Sequence, residues 1–316
     1  MPPALPGEAG GEAMEAAEKL FSQFQGEGIP CLAGEPMSRH TTFRIGGPAR
    51  LFVTPRDPEE VRRVLTAARE AGVPWFVLGK GSNLLVGDGG IPGVVLSMEK
   101  LSAVRREGEK LRAQGGASLM AVCRAAQEAG LAGLEFAYGI PGQVGGGVYM
   151  NAGAYGGELR DVVESVEYLD EAGEPRTLSG EGLEFGYRRS FFTGKGCVIL
   201  SALFALTPGD PGAIAAGMEE FYRRRREKQP LEWPSAGSTF KRPQGAYAAA
   251  LIDQCGLKGF RVGGAMVSEK HAGFVINAGG ATCADVLELI RRVQKIVEEK
   301  TGFVLEPEVR VTGESR

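Results

Sequence analysis

Apolar residues recur at helical spacing in some stretches of this chain and run together or alternate in others, with glycine and proline as punctuation. In EAMEAAEKLFSQF, Met14, Ala17, Leu20 and Phe21 fall on one face and predict a helix. Ahead of it MPPALPGEAGGE reads as loose, so residues 1–36 look like an appendage. Asp57-Pro58 is a helix start, with Asp as N-cap and Pro in the first turn. Val61, Val64, Leu65 and Ala68 then line one face, and Gly72 ends the helix. Trp75–Leu78 and Gly93–Met98 are short apolar runs suited to buried strands. Ser118–Gly130 is a helix capped by serine and closed by glycine. Residues 163–170 alternate as a strand ending in the turn Glu171-Ala172-Gly173, and Val198–Leu206 is a further strand. Helices are expected over roughly 212–227, 246–255 and 283–299, with a strand at Gly273–Asn277 and a last one at Phe303–Val311.

The order of these elements is α+β throughout. TPGDPG at 207–212 is the strongest boundary signal, which divides the chain into the appendage, a domain at 37–207 and a smaller one at 208–316. Composition narrows the function more than the fold. The net charge is -3, and the only basic cluster is Arg223–Arg226, which excludes nucleic acid as an expected partner. Five widely spaced cysteines without a CxxC point to reduced thiols in the cytoplasm, with neither a disulfide frame nor a metal site. The start of the chain carries acids and lacks the apolar core of a signal peptide, and no apolar run is long enough for a membrane partner.

The 48 glycines are about twice the usual ~7% share. They concentrate in GKGSN (Gly79–Asn83) and in GIPGQVGGGVYMNAGAYGG (Gly139–Gly157). The second block is flanked by Phe136, Ile140, Val144, Val148 and Tyr149, so it is a packed loop and not a linker. Backbone curled this tightly exposes N–H groups that form anion sites, and a diphosphate is a common guest. A dinucleotide-binding G-x-G-x-x-G is ruled out because its sixth position is Leu84 and strand-like residues follow. A P-loop is ruled out because Lys80 precedes Gly81.

Six blocks in order, TTFRIGGPA, LGKGSNLLV, GLEFAYGIPGQVGGGVYMNAGAYGGE, YRRSFF, PSAGSTFKRP and LEPEVR, resemble the UDP-N-acetylenolpyruvoylglucosamine reductase family, from about Ser38 to Val311. That family belongs to the vanillyl-alcohol oxidase type of FAD-binding fold. The resemblance implies an α+β FAD-binding domain of two subdomains followed by a smaller α+β substrate-binding domain. It implies non-covalent FAD as cofactor, with NADPH and UDP-N-acetylglucosamine enolpyruvate as partners, in a monomeric enzyme of peptidoglycan precursor synthesis. Gly79, Lys80, Gly81, Ser82 and Asn83 would hold the diphosphate, and Gly145, Gly146 and Tyr149 would back the flavin. His40 raises the question of a covalent flavin link, and none is expected. The chain is similar to the shorter subgroup, which lacks a tyrosine-bearing lid after the YR block.

The implied reaction sends a hydride from flavin N5 to C3 of the enolpyruvyl group and a proton to C2. Charge develops on C2 and its carboxylate, which calls for a cation and a positioned acid. Arg188 matches the family's arginine, Ser238 its proton donor and Glu308 its glutamate. In an extended last strand Glu308 and Arg310 would share a face. Lys228 matches a diphosphate contact, with Arg225 and Arg242 as further candidates, while Arg223, Arg224 and Arg226 read as a solvated helix face. Ser235 reads as structural, and the role of Tyr155 is open. Two other readings stay open at this point: another flavoenzyme of the superfamily, such as an alcohol or sugar oxidase, and a non-catalytic nucleotide-binding protein.

Overall fold

A computed structural model describes residues 11–315, with backbone alone at 11–14. Of the start expected to be loose, residues 1–10 lie outside the described residues, as does the packing of Met14, while Gly11 and Glu12 already belong to a helix. The chain forms two compact units, both discontinuous in sequence. The first runs up to Ala33 and adds Leu51–Lys80 and Gly93–Arg225; the second takes Gly34–Arg50, Gly81–Pro92 and Arg226–Arg316.

Helices form where the caps and spacing require them. Asp57 accepts a hydrogen bond from Glu60 N (2.8 Å) and opens α2 (Pro58–Glu70), following α1 (Gly11–Gly26). Ser118 caps α3 (Leu119–Glu128) through Ala121 N (3.1 Å). Asp57→Ala should lower stability by about 1 kcal/mol. The expected readout is a lower denaturant midpoint at unchanged slope, and an unshifted midpoint would show the cap to be idle.

The first unit has two apolar cores. In one, Leu20 and Phe24 of α1 pack with Val61, Val64 and Ala68 of α2 and with Leu51, Val94 and Leu96 of the sheet ordered Cys31–Pro36, Pro48–Val53, Ile91–Ser97, Trp75–Leu78. Phe24 has no exposed surface, so α1 is a core element rather than an appendage. The other core lies on an antiparallel five-stranded sheet ordered Pro175–Ser179, Val163–Leu169, Val198–Ala205, Lys110–Gln114, Val104–Glu107. On it pack α3 and α4 (Val144–Tyr149).

The second unit builds its core from α6 (Ala248–Gln254), α7 (Cys283–Thr301) and an antiparallel sheet ordered Ser235–Ser238, Phe274–Asn277, Ala265–Val267, Arg261–Val262. Between them in sequence, α5 (Pro211–Lys228) carries the chain from one unit to the other. That passage, at Arg225–Arg226, lies in the last turn of α5 and not at TPGDPG. No helix among the described residues is long and apolar enough to cross a membrane.

Two local expectations need correction. The last strand is only Arg310–Thr312, paired in parallel with Leu84–Val86. Residues 303–309 are irregular, because Glu308 N and Val309 N both turn to the oxygen of Thr239 (2.8 and 3.4 Å). Glu308 therefore lies ahead of the strand, outside the extended segment expected to carry it together with Arg310. The glycine-rich block is also not loop throughout, since its centre is the six-residue α4. Crowding accounts for two of its glycines: a Cβ on Gly145 would lie 3.2 Å from Gly115 O, and one on Gly157 would lie 2.6 Å from the Phe136 ring.

Candidate active site

The strand Trp75–Leu78 delivers the chain into Gly79–Asn83, and the strand Leu84–Val86 follows directly. Gly81 sits at φ +63°, where a Cβ would lie 2.5 Å from His40 O and 2.8 Å from Thr41 Cα. With the backbone of His40 and Thr41 this close, only glycine fits there. Lys80 is exposed; Ser82 and Asn83 are half-buried. His40 Nε2 lies 2.9 Å from Glu35 Oε1.

Gly79 faces Gln143, whose Oε1 is 3.2 Å from where a Gly79 Cβ would be. Gln143 is only 8% exposed, yet its Oε1 accepts no hydrogen bond among the described residues. Such a buried acceptor costs about 1–3 kcal/mol unless something outside the chain donates to it. A ribityl hydroxyl is a donor of that kind. Gly146 is exposed, and a Cβ there would meet nothing within 4 Å. An acceptor awaiting a donor beside a glycine loop, and open space over Gly146, fit FAD. Gln143 carried no signal in the sequence, because a glutamine among glycines says nothing of its own burial.

Tyr149 ends α4 and anchors the segment that holds Arg188. Its carbonyl accepts from Ser190 Oγ (3.0 Å) and Thr193 Oγ1 (3.3 Å), and its hydroxyl accepts from Gly194 N (3.1 Å). Arg188 itself is the third residue of a four-residue turn closed by Arg189 N to Gly186 O (3.2 Å). Its φ is +55°, the left-handed region that glycine or asparagine usually fills at this turn position. Holding arginine there costs about 1–2 kcal/mol. Such strain collects at functional sites.

In the second unit, residues far apart in sequence converge. Ser238 is the exposed end of the strand Ser235–Ser238, set by a register shift at Gly237 (φ +76°). The next residue, Thr239, accepts from Glu308 N. Asn83 bridges to the same segment: its Nδ2 donates to Glu308 O (3.3 Å) and its O accepts from Arg310 N (3.0 Å). Asn83, Ser238, Glu308 and Arg310 are thus neighbours along one stretch of main-chain bonding. Ser235 differs, since its carbonyl accepts from Thr42 Oγ1 (2.7 Å).

The cations fall into separate surroundings. Arg223 and Arg224 are exposed and paired with Glu220, as a solvated face should be. Arg225, one residue on, is 6% exposed, with its guanidinium 5.8 Å from the Tyr155 ring and its Cδ 3.4 Å from where a Gly139 Cβ would be. Burial lowers its pKa. Tyr155 stacks on Phe221 at 4.9 Å, so α5 lies against the second glycine block. Lys228 and Arg242 are exposed, with Arg242 4.0 Å over the Tyr247 ring. His271 packs edge-on against Phe274, and burial lowers its pKa. Burial pushes the Cys123 thiol up to about 12 and Cys283 up to about 11, so neither is a nucleophile at neutral pH.

Residues 49–179 match the FAD binding domain family, and residues 229–312 match the family described as UDP-N-acetylenolpyruvoylglucosamine reductase, C-terminal domain. The chain is 52% identical over 278 residues to the UDP-N-acetylenolpyruvoylglucosamine reductase of Clostridium novyi, covering 88% of this chain and 91% of the relative. It is 50% identical over 295 residues to that of Clostridium perfringens, covering 93% and 97%. The crystal structure of UDP-N-acetylenolpyruvylglucosamine reductase from Thermus caldophilus superimposes with a TM-score of 0.76 at 38% identity, covering 90% of this chain and 98% of that one. With a buried acceptor left unmet beside a glycine loop, Glu308 bonded through its main chain to the residue after Ser238, and half-identical relatives matched over nearly their full length, the chain belongs to the UDP-N-acetylenolpyruvoylglucosamine reductase family.

Proposed function

We propose that this protein reduces UDP-N-acetylglucosamine enolpyruvate to UDP-N-acetylmuramate in peptidoglycan precursor synthesis, acting as a cytoplasmic monomer with NADPH and non-covalent FAD. The observation that carries the reading is the bonding of Glu308 N to Thr239 O, which sets Glu308 beside the segment holding Ser238, with Asn83 of the glycine loop tied to the same stretch. Held by the glycine loops, FAD would supply hydride chemistry, passing two electrons from NADPH to C3 of the enolpyruvyl group.

The chain's own residues handle the charge and the proton. Arg188 offers two parallel N–H donors to the substrate carboxylate and cannot lose its own charge, so it stabilises the enolate as it forms. The Ser238 hydroxyl gives its proton to C2, and water reprotonates the serine. A hydroxyl is a weak acid, but transfer to a carbanion-like carbon runs downhill, and the group stays protonated at rest. Glu308 serves in protonated form or through a water, since a bare carboxylate would oppose the enolate. Lys228, Arg225, Arg242 and Arg310 are assigned to the uridine diphosphate. Gly79, Lys80, Gly81, Ser82 and Asn83 are assigned to the diphosphate of FAD, and Gly145, Gly146 and Tyr149 to its flavin end.

The purified protein should be yellow, bleach with NADPH, and regain its colour anaerobically on adding the enolpyruvyl nucleotide. A colourless preparation that takes up no FAD would overturn the reading. Denaturation should release the pigment; a chain that stays yellow would show a covalent link.

Gly81→Ala tests the loop. The added methyl meets backbone at 2.5 Å in a left-handed position, so the loop must shift. An αL penalty of about 1–2 kcal/mol predicts roughly tenfold weaker FAD binding, measured by quenching of flavin fluorescence. Affinity within twofold of the parent would remove the loop from the cofactor site.

A further inference from the structure

We propose that Asn151 is a positioning residue for Arg188, an inference that rests on the role given to Arg188 above. Asn151 is 1% exposed and lies just beyond α4, at φ +43°. Asparagine is among the few residues that tolerate this conformation. Both amide hydrogens and the amide oxygen of its side chain are engaged. Nδ2 donates to Gly186 O (3.1 Å) and to Glu158 Oε2 (2.9 Å), and Oδ1 accepts from Arg160 N (3.0 Å). The three partners allow one amide orientation only, because a carboxylate and a carbonyl need donors and an N–H needs an acceptor.

Gly186 O is also the acceptor that closes the turn carrying Arg188. Asn151 therefore grips the first residue of that turn. Tyr149, two residues earlier, grips the far side through Ser190, Thr193 and Gly194. Glu158, the other acceptor of Nδ2, is itself fixed by Arg160 and by a reciprocal cap with Asp161. The strained backbone of Arg188 is thus clamped at both ends to the segment 149–151. Tyr149 is a candidate flavin neighbour, so the clamp would hold the guanidinium in register with the cofactor. A displacement of about 1 Å can cost on the order of 10²-fold in rate.

The test is a double-mutant cycle on the holoenzyme. Asn151→Gly keeps the left-handed backbone and removes the side chain. Asn151→Asp keeps the shape and removes both donors. Each should slow reoxidation of the reduced flavin by the enolpyruvyl nucleotide by about 10–100-fold, while reduction by NADPH stays within about threefold. In an Arg188→Ala background, either change should alter reoxidation by less than about threefold, because the residue it positions is gone. Hydrogen exchange at the amides of Gly186 and Arg189 should be faster in Asn151→Gly with or without substrate. Multiplicative losses in the double variants would overturn the inference, as would unchanged exchange. So would failure of both single variants to fold, since the clamp is assigned to one turn and not to the core. If Arg188→Ala alone reoxidises at the parent rate, the role of Arg188 fails first, and that outcome is distinct from additivity.

Discussion

Ser238→Ala is expected to leave flavin reduction by NADPH intact and to slow reoxidation by the enolpyruvyl nucleotide by about 10²–10⁴-fold, the usual worth of a positioned general acid. The residue ends an edge strand, and its side chain is exposed, so removing one oxygen disturbs no core packing. The backbone pairing of Ser238 with Phe274 is unaffected by the change. Any large loss is then chemical and not structural. Stopped-flow mixing of pre-reduced enzyme with substrate separates the two half-reactions, and Ser235→Ala is the control, expected to leave both within about threefold. A loss below tenfold in Ser238→Ala would take the proton-donor role from this residue.

Arg188→Lys should cost about 10²–10³-fold in the same half-reaction, as removal of one preorganised donor to a developing oxyanion commonly does. Lysine keeps the charge, and it suffers the same left-handed backbone as arginine, so stability should hardly move. What it lacks is the planar fork that meets both oxygens of a carboxylate. The loss should appear in kcat with little change in KM, because the interaction strengthens as the enolate forms. A variant within threefold of the parent would mean that charge alone suffices or that Arg188 is elsewhere during the reaction.

How much of the site was legible beforehand varies with the kind of residue. Ser238, Glu308 and Arg188 stand in blocks whose order is specific, so they could be proposed from the chain alone. Gln143 and Asn151 could not, although both are polar, buried and within the glycine-rich block. Burial of an amide follows from what packs over it, and neither period nor composition carries that information. Asn151 did leave one trace: asparagine ahead of Ala-Gly is a residue able to take φ > 0. The final strand was overestimated because Phe303, Val304, Leu305 and Val309 suggest extension, whereas the amides of 308 and 309 are drawn to Thr239.

The arginine run at 223–226 shows the same division. The sequence alone makes it one basic stretch of helix. Successive helical residues differ by about 100° around the axis, so one of four can be buried while its neighbours are solvated. Only the packing of α5 against Tyr155 and Gly139 selects Arg225.

By itself, the sequence determined the local matters: Asp57 and Ser118 start helices, GKGSN leads into strand, and six ordered blocks mark the family. These depend on neighbours a few residues apart, where backbone geometry leaves little choice. The tertiary structure decided which of those residues meet. Asn83 reaches Glu308 across 225 positions, and Thr42 reaches Ser235 across 193. Arg188 is held by a turn whose anchor lies 35 residues earlier. Contacts of this range form only when chain segments fold back on a shared core, and a linear pattern does not encode which pairs that core brings together.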